Sequence, residues 1–124
     1  MARILVVDDE PDILLLHRLN LQDAGHEVLL AADGMKALER IGTDRPDCVV
    51  LDVMMPVLDG WGVLEALQER NDPPPVLVVS AKSADADIEH AMSLGAKGYL
   101  AKPFNAAMLL AEVAKLIGFV NPAS

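Results

Sequence analysis

Three short runs, Ile4-Leu5-Val6-Val7, Cys48-Val49-Val50-Leu51 and Val76-Leu77-Val78-Val79, are apolar at every position. A strand with one wet face alternates apolar and polar residues. A strand that is apolar throughout needs cover on both faces. The stretches between these runs carry helical spacing, so the chain predicts a sheet held between two layers of helices.

The remaining punctuation fits that frame. Pro11 suits a first helical position. Ile13, Leu15, Leu16 and Leu19 give the first helix an apolar stripe, which Gly25 stops. Residues 27–31 read as a second strand. Asp33-Gly34 turns into a helix carrying Ala37, Leu38 and Ile41, broken by Pro46-Asp47 before strand three at 48–51. Asp59-Gly60 is a turn signal, and Val63, Leu64 and Leu67 mark the third helix. Pro73-Pro74-Pro75 leads stiffly into strand four at 76–79. Ile88, Ala91 and Leu94 mark helix four, ended by Gly95; residues 98–101 form a short fifth strand. Leu109, Leu110, Val113, Leu116 and Ile117 place the last helix. Five strand–helix units joined by right-handed crossovers make an α/β fold, a doubly wound five-stranded parallel sheet with five helices. Its expected order is the flavodoxin-like 2-1-3-4-5.

At 124 residues, one domain over 1–124 is expected. Aromatic residues make up only 3% of the chain, so Val, Leu, Ile, Ala and Met must build the core. The net charge of -9 argues against a domain that grips nucleic acid by its phosphates. A solvated acidic surface accounts for most of that charge. Cys48 is the only cysteine and reads as a small core residue. No run is long enough for a signal peptide or a membrane span, so a cytoplasmic protein with no membrane partner is expected. His17, His26 and His90 lack metal spacing and are expected at the surface or half-buried. Trp61 starts helix three as core or rim.

The polar residues fall in one place. Strand one runs into Asp8-Asp9, strand three into Asp52, strand four into Ser80 and strand five into Lys102. Only strand two, an edge in the expected order, ends in nothing reactive. Doubly wound sheets bind ligands outside the carboxyl ends of their strands, at the switch point between strands one and three. Three carboxylates in one pocket repel; two unit charges about 4 Å apart interact by roughly 4 kcal/mol at a protein-like dielectric. Such a cluster must take up protons or a cation. All-oxygen donors favour Mg²⁺ or Mn²⁺ over Zn²⁺. A lysine and a hydroxyl opposite would suit a phosphoryl group, and an Asp carboxylate can attack phosphorus itself. Each element alone has a plainer explanation. Asp8-Asp9 could cap a helix, Ser80 could cap helix four, and Lys102 could be a solvated side chain. Their joint placement on four strand ends favours a site.

The segments ILVVDDEPD, VVLDVMMPVLDG, VLVVSA and GAKGYLAKPF carry a resemblance. In this order and spacing the chain is similar, over essentially its whole length, to the receiver domain of bacterial two-component response regulators, the chemotaxis response regulator among them. The resemblance implies a phosphorelay switch in which Asp52 accepts a phosphoryl group. It implies Mg²⁺ organised by Asp8 and Asp9, with Asp9, Asp52 and the backbone carbonyl of Met54 as direct ligands. Ser80 and Lys102 would hold the phosphoryl oxygens, and Tyr99 would be the aromatic switch that turns inward when Ser80 moves. A cis peptide before Pro103 is also implied. The partners implied are a sensor histidine kinase or phosphotransfer protein, and an output partner or a missing C-terminal effector domain. Output would pass through helix four, strand five and helix five, where Ala107, Met108, Ala111 and Lys115 form a face light in charge. A phosphorylation-dependent homodimer is a further expectation. However, Lys97-Gly98 and Glu112 do not match the charge pattern of the dimerising winged-helix subfamily.

Two residues after Asp52 and two after Ser80, positions that tune phosphoryl lifetime in this family, stand Met54 and Lys82. They imply a long-lived phosphoryl group. Two rivals remain. A haloacid-dehalogenase-type Mg²⁺-dependent phosphatase also uses an Asp at a strand end. It carries a second Asp where Met54 stands, and its acidic pair comes late in the chain. A pseudo-receiver that is never phosphorylated is opposed by the complete set of Asp9, Asp52, Ser80 and Lys102. A flavin site has little support, because nothing between Val7 and Pro11 is glycine-rich. The expected catalysis is confined to the protein's own phosphorylation and dephosphorylation.

Overall fold

A computed structural model describes residues 2–55, 58–82 and 84–120. Pro56 and Val57 of the VVLDVMMPVLDG segment and the 121–124 tail lie outside the described residues. The elements alternate as β1 (Arg3–Val7), α1 (Pro11–Asp23), β2 (Glu27–Ala31), α2 (Gly34–Asp44), β3 (Cys48–Asp52), α3 (Gly60–Gln68), β4 (Val76–Ser80), α4 (Asp85–Ser93), β5 (Gly98–Ala101) and α5 (Ala106–Val120). The five strands are parallel, in the order β2-β1-β3-β4-β5.

Side-chain alternation along the strands divides the core into two layers. Leu5, Val7, Val49, Leu51, Val76 and Val78 face one side, against Ala37 and Ile41 of α2, Val63, Leu64 and Leu67 of α3, and Ala91 of α4. Ile4, Val6, Cys48, Val50, Leu77 and Val79 face the other, against Leu14 and Leu21 of α1 and Leu109, Val113 and Leu116 of α5. Both faces are dry, which is why these strands are apolar at every position.

The α1 stripe is the one phase that differs from expectation. Leu14, His17 and Leu21 are buried, whereas Leu15, Leu16 and Leu19 are 44%, 51% and 53% exposed. Apolar residues occupy positions 13–16, 19 and 21, so more than one face of this helix is apolar and periodicity cannot choose between them. Residues 14, 17 and 21 are spaced by three and four and share the inner face. His17 is therefore core, not surface or half-buried. His26 is half-buried and His90 exposed.

Register then sets the functional edge. Val7 pairs with Leu51, so Asp8 and Asp52, the next residue of each strand, lie side by side. Asp52 pairs with Val79, and Ser80 pairs with Ala101. Ser80 and Lys102 therefore continue the same edge. The start of α3 packs tightly on the end of β3. The Gly60 N–H donates to the Val53 carbonyl at 3.1 Å, and the Asp59 carboxylate caps the helix by accepting from Gly62 N–H at 2.9 Å. A Cβ on Gly60 would lie 2.5 Å from Val53 Cα and 2.7 Å from the Asp52 carbonyl oxygen, so only glycine fits there.

Candidate functional site

Asp8 follows β1 directly and is buried; Asp9, one residue on, is exposed at the mouth. Asp52 closes β3 at 5% exposure. Each of the three offers a carboxylate oxygen, and these oxygens all lie within 4.8 Å of one another. Two are oriented by backbone donors: Asp8 Oδ1 accepts from Glu10 N–H at 3.0 Å, and Asp52 Oδ1 from Met54 N–H at 3.1 Å. The Lys102 ammonium stands 3.5 Å from Asp52 Oδ2 and 3.9 Å from Asp8 Oδ2. Its backbone N–H is fixed by the Ser80 carbonyl at 2.8 Å. The peptide between Lys102 and Pro103 is cis, as the resemblance implied.

Burial pushes the Asp8 carboxyl up to about 6. Asp52 and Asp9 push the same way, while the Glu10 N–H and the Lys102 ammonium oppose. Asp8 Oδ2 is buried and has no hydrogen-bond partner among the described residues. A buried carboxylate oxygen without a donor is costly unless a cation meets it. Three oxygen donors converging beside that orphaned atom fit a hard divalent ion that retains several waters.

Ser80 is fully buried, and its Oγ accepts from Lys82 N–H at 3.0 Å. The hydroxyl proton remains free to donate to an anion. Tyr99 is half-buried, and its hydroxyl donates to the Lys82 carbonyl at 2.7 Å. Lys82 thus joins Ser80 to Tyr99 through its backbone, while its side chain is exposed. Met54, whose N–H binds Asp52, is 60% exposed and not part of the core.

The structure thus gathers Asp8, Asp9, Asp52, Ser80 and Lys102 at one edge of the sheet, with Tyr99 reaching that edge through Lys82. Sequence reasoning missed two contributors. The His17 ring stacks on Phe104, two residues beyond Lys102, with centroids 5.6 Å apart and planes 19° apart. The available signal was its spacing of three and four from Leu14 and Leu21. The backbone of Lys82 left no signal, since any residue type supplies a peptide group. Trp61 and His90 make an edge-to-face pair at 4.6 Å on α3 and α4.

Comparison with known proteins bears on the family and the fold. The family described as "Response regulator receiver domain" matches residues 4–114. The transcriptional regulatory protein PrrA of Mycobacterium tuberculosis is 44% identical over 115 residues, covering 93% of this chain and 49% of that protein. Among solved structures, the chemotaxis protein CheY4 of Vibrio cholerae is similar at a TM-score of 0.86 and 36% identity, covering 94% of this chain and 98% of that one. A Francisella response regulator receiver domain is similar at a TM-score of 0.92 and 32% identity, covering 97% and 99%. The chain spans about half the length of the curated relatives it matches.

Proposed function

Because the chain belongs to the response regulator receiver domain family, we propose that Asp52 is the residue on which it accepts a phosphoryl group from a sensor histidine kinase or phosphotransfer protein. The supporting observation is Asp52 itself, a carboxylate buried at the end of β3 with an ammonium at 3.5 Å and two more carboxylates in reach. A plain surface aspartate has no need of that arrangement.

One Asp52 oxygen forms a bond to phosphorus as the P–N bond of the donor phosphohistidine breaks, and the imidazole leaves with a proton. Lys102 holds a phosphoryl oxygen by charge, and Ser80 donates its free hydroxyl proton to another. Asp8, Asp9, Asp52 and the Met54 carbonyl would hold Mg²⁺, or Mn²⁺ in its place, and the ion would supply the positive charge that offsets the repulsion of an anion approaching an anion. The phosphoryl group ends on the protein itself, so no separate substrate is turned over. In the phosphatase alternative a second Asp would take Met54's place as general acid. Met54 has no titratable group to fill that role.

Output follows from the Ser80–Lys82–Tyr99 link. A phosphoryl group that draws the Ser80 hydroxyl displaces Lys82, and Lys82 carries Tyr99 and the start of α4 with it. The α5 face of Ala107, Met108, Ala111 and Lys115 is exposed and light in charge, which suits an output partner, an effector domain or a second copy of the chain. No helix of the described residues is long and apolar enough to cross a membrane; our reading places the domain in the cytoplasm.

The test is intact-mass analysis after incubation with acetyl phosphate, with and without Mg²⁺. Wild type is expected to gain one phosphoryl group only with the metal, and Asp52→Asn none. Undiminished labelling of Asp52→Asn would place the acceptor elsewhere.

A further inference from the structure

His17 is buried, yet both its ring nitrogens lack a hydrogen-bond partner among the described residues. An aliphatic side chain would fill this place without stranding two polar atoms, so packing alone does not account for an imidazole here. What the ring does make is a near-parallel stack on Phe104. Phe104 in turn packs on the layer between the sheet and α1 and α5. It lies two residues beyond Lys102, in the turn that joins β5 to α5.

That turn has two anchors with the lysine between them. On the strand side, the Lys102 N–H is held by the Ser80 carbonyl. On the helix side, Phe104 is held against the α1 ring. The geometry points to His17 as a positioning residue for Lys102: its stack on Phe104 fixes the β5–α5 turn so that the ammonium stands over Asp52. This rests on the reading of Asp52 as phosphoryl acceptor. A flat ring suits the task better than leucine, because a planar face restrains the tilt of Phe104 where a branched aliphatic lets it rock. Burial and the Lys102 ammonium both push the His17 pKa down, with Asp52 opposing. The ring therefore stays neutral and does not repel the lysine it helps to place.

The experiment measures the rate of Asp52 phosphorylation by acetyl phosphate at saturating Mg²⁺ on the full chain, with Mg²⁺ affinity from calorimetry and stability from urea unfolding. His17→Leu is expected to slow phosphorylation about tenfold, since small misplacements of a catalytic group are costly. Mg²⁺ affinity stays within about twofold, because the carboxylates and not Lys102 hold the ion. The unfolding midpoint does not fall, because two stranded nitrogens are removed. His17→Phe, which keeps a flat ring, restores the rate. Phe104→Leu breaks the stack from its other side and reproduces the loss, which covers the case of a poorly folding His17→Leu. In a Lys102→Met background, His17→Leu has no further effect. An unchanged rate in both His17→Leu and Phe104→Leu overturns the assignment, as does a full additional loss on top of Lys102→Met. Failure of the wild type to label on Asp52 would instead sink the acceptor reading.

Discussion

Ser80 and Tyr99 are joined through a single residue: Lys82 donates its N–H to the Ser80 hydroxyl at 3.0 Å and accepts the Tyr99 hydroxyl proton on its carbonyl at 2.7 Å. The link joins the proposed phosphoryl site to β5 without any side-chain atom of Lys82 taking part. Tyr99→Phe removes one hydrogen bond, a stability change of about 1 kcal/mol. With a phosphoryl mimic bound, amide exchange should change at α4 in wild type and respond weakly or not at all at α4 in Tyr99→Phe. Equal α4 responses in the two proteins would show that the signal takes another path.

The carboxylate cluster sets a trade between metal binding and stability. The Asp8 pKa is raised from 3.8 to about 6, so the native state binds this proton more tightly than the unfolded chain does. Between those values the native state holds more protons, and stability falls as pH rises through about 4 to 6. Above that window the full penalty is present. Asp8→Asn, in chelator at pH 7, should therefore unfold at higher urea than wild type and lose this part of the pH slope. The same variant and Asp9→Asn should bind Mg²⁺ at least about tenfold more weakly by calorimetry, each having lost a charged oxygen ligand. Equal affinity in Asp9→Asn would remove it from the ligand set.

Phosphoryl lifetime should be long. Hydrolysis needs a water in line with the Asp52 oxygen, and neither Met54 nor Lys82 resembles a general base that would activate one. The Met54 side chain, 60% exposed, has no donor or strong acceptor to orient that water. Decay of the phosphorylated protein should quicken in Met54→Asn and in Met54→Ala/Lys82→Ala. A wild type that decays as fast as these variants would rule out both residues as the gate.

Cys48 should be inert. Burial pushes its thiol up to about 12, with Asp47 adding to the effect. At pH 8 the thiolate fraction is then on the order of one in ten thousand. Iodoacetamide labelling of the native chain should be negligible beside that of the urea-unfolded chain. Rapid native labelling would mean that the β1–β3 region opens far more readily than its burial implies.

Much of this was legible because the strands sit in both core layers at once. Val49 and Leu51 face one layer, Cys48 and Val50 the other, so the run has no polar position and its end at Asp52 stands out. The residues at four strand ends could be named because each directly follows its strand, and in a parallel sheet all the carboxyl ends lie along one edge. The phase of α1 could not. With Leu14, Leu15, Leu16, Leu19 and Leu21 all apolar, only the packing against β1 and α5 shows that Leu14, His17 and Leu21 turn inward. The same ambiguity hid His17, because a histidine among leucines reads as the polar side of a helix until its burial is seen.

The pairing of Val7 with Leu51, of Asp52 with Val79 and of Ser80 with Ala101 has a consequence for folding. No two of the strands that supply the pocket are joined by a hairpin; each junction closes a long loop through a helix, so the pocket exists only once β1, β3, β4 and β5 have all docked. Ion uptake is then a reporter of the finished sheet, silent in any partly assembled chain. By mass action the ion also favours that finished state, by about 2.7 kcal/mol at a hundred times its dissociation constant. On the proposed reading, folding of the sheet and readiness for phosphoryl transfer are then linked through one and the same Mg²⁺ equilibrium.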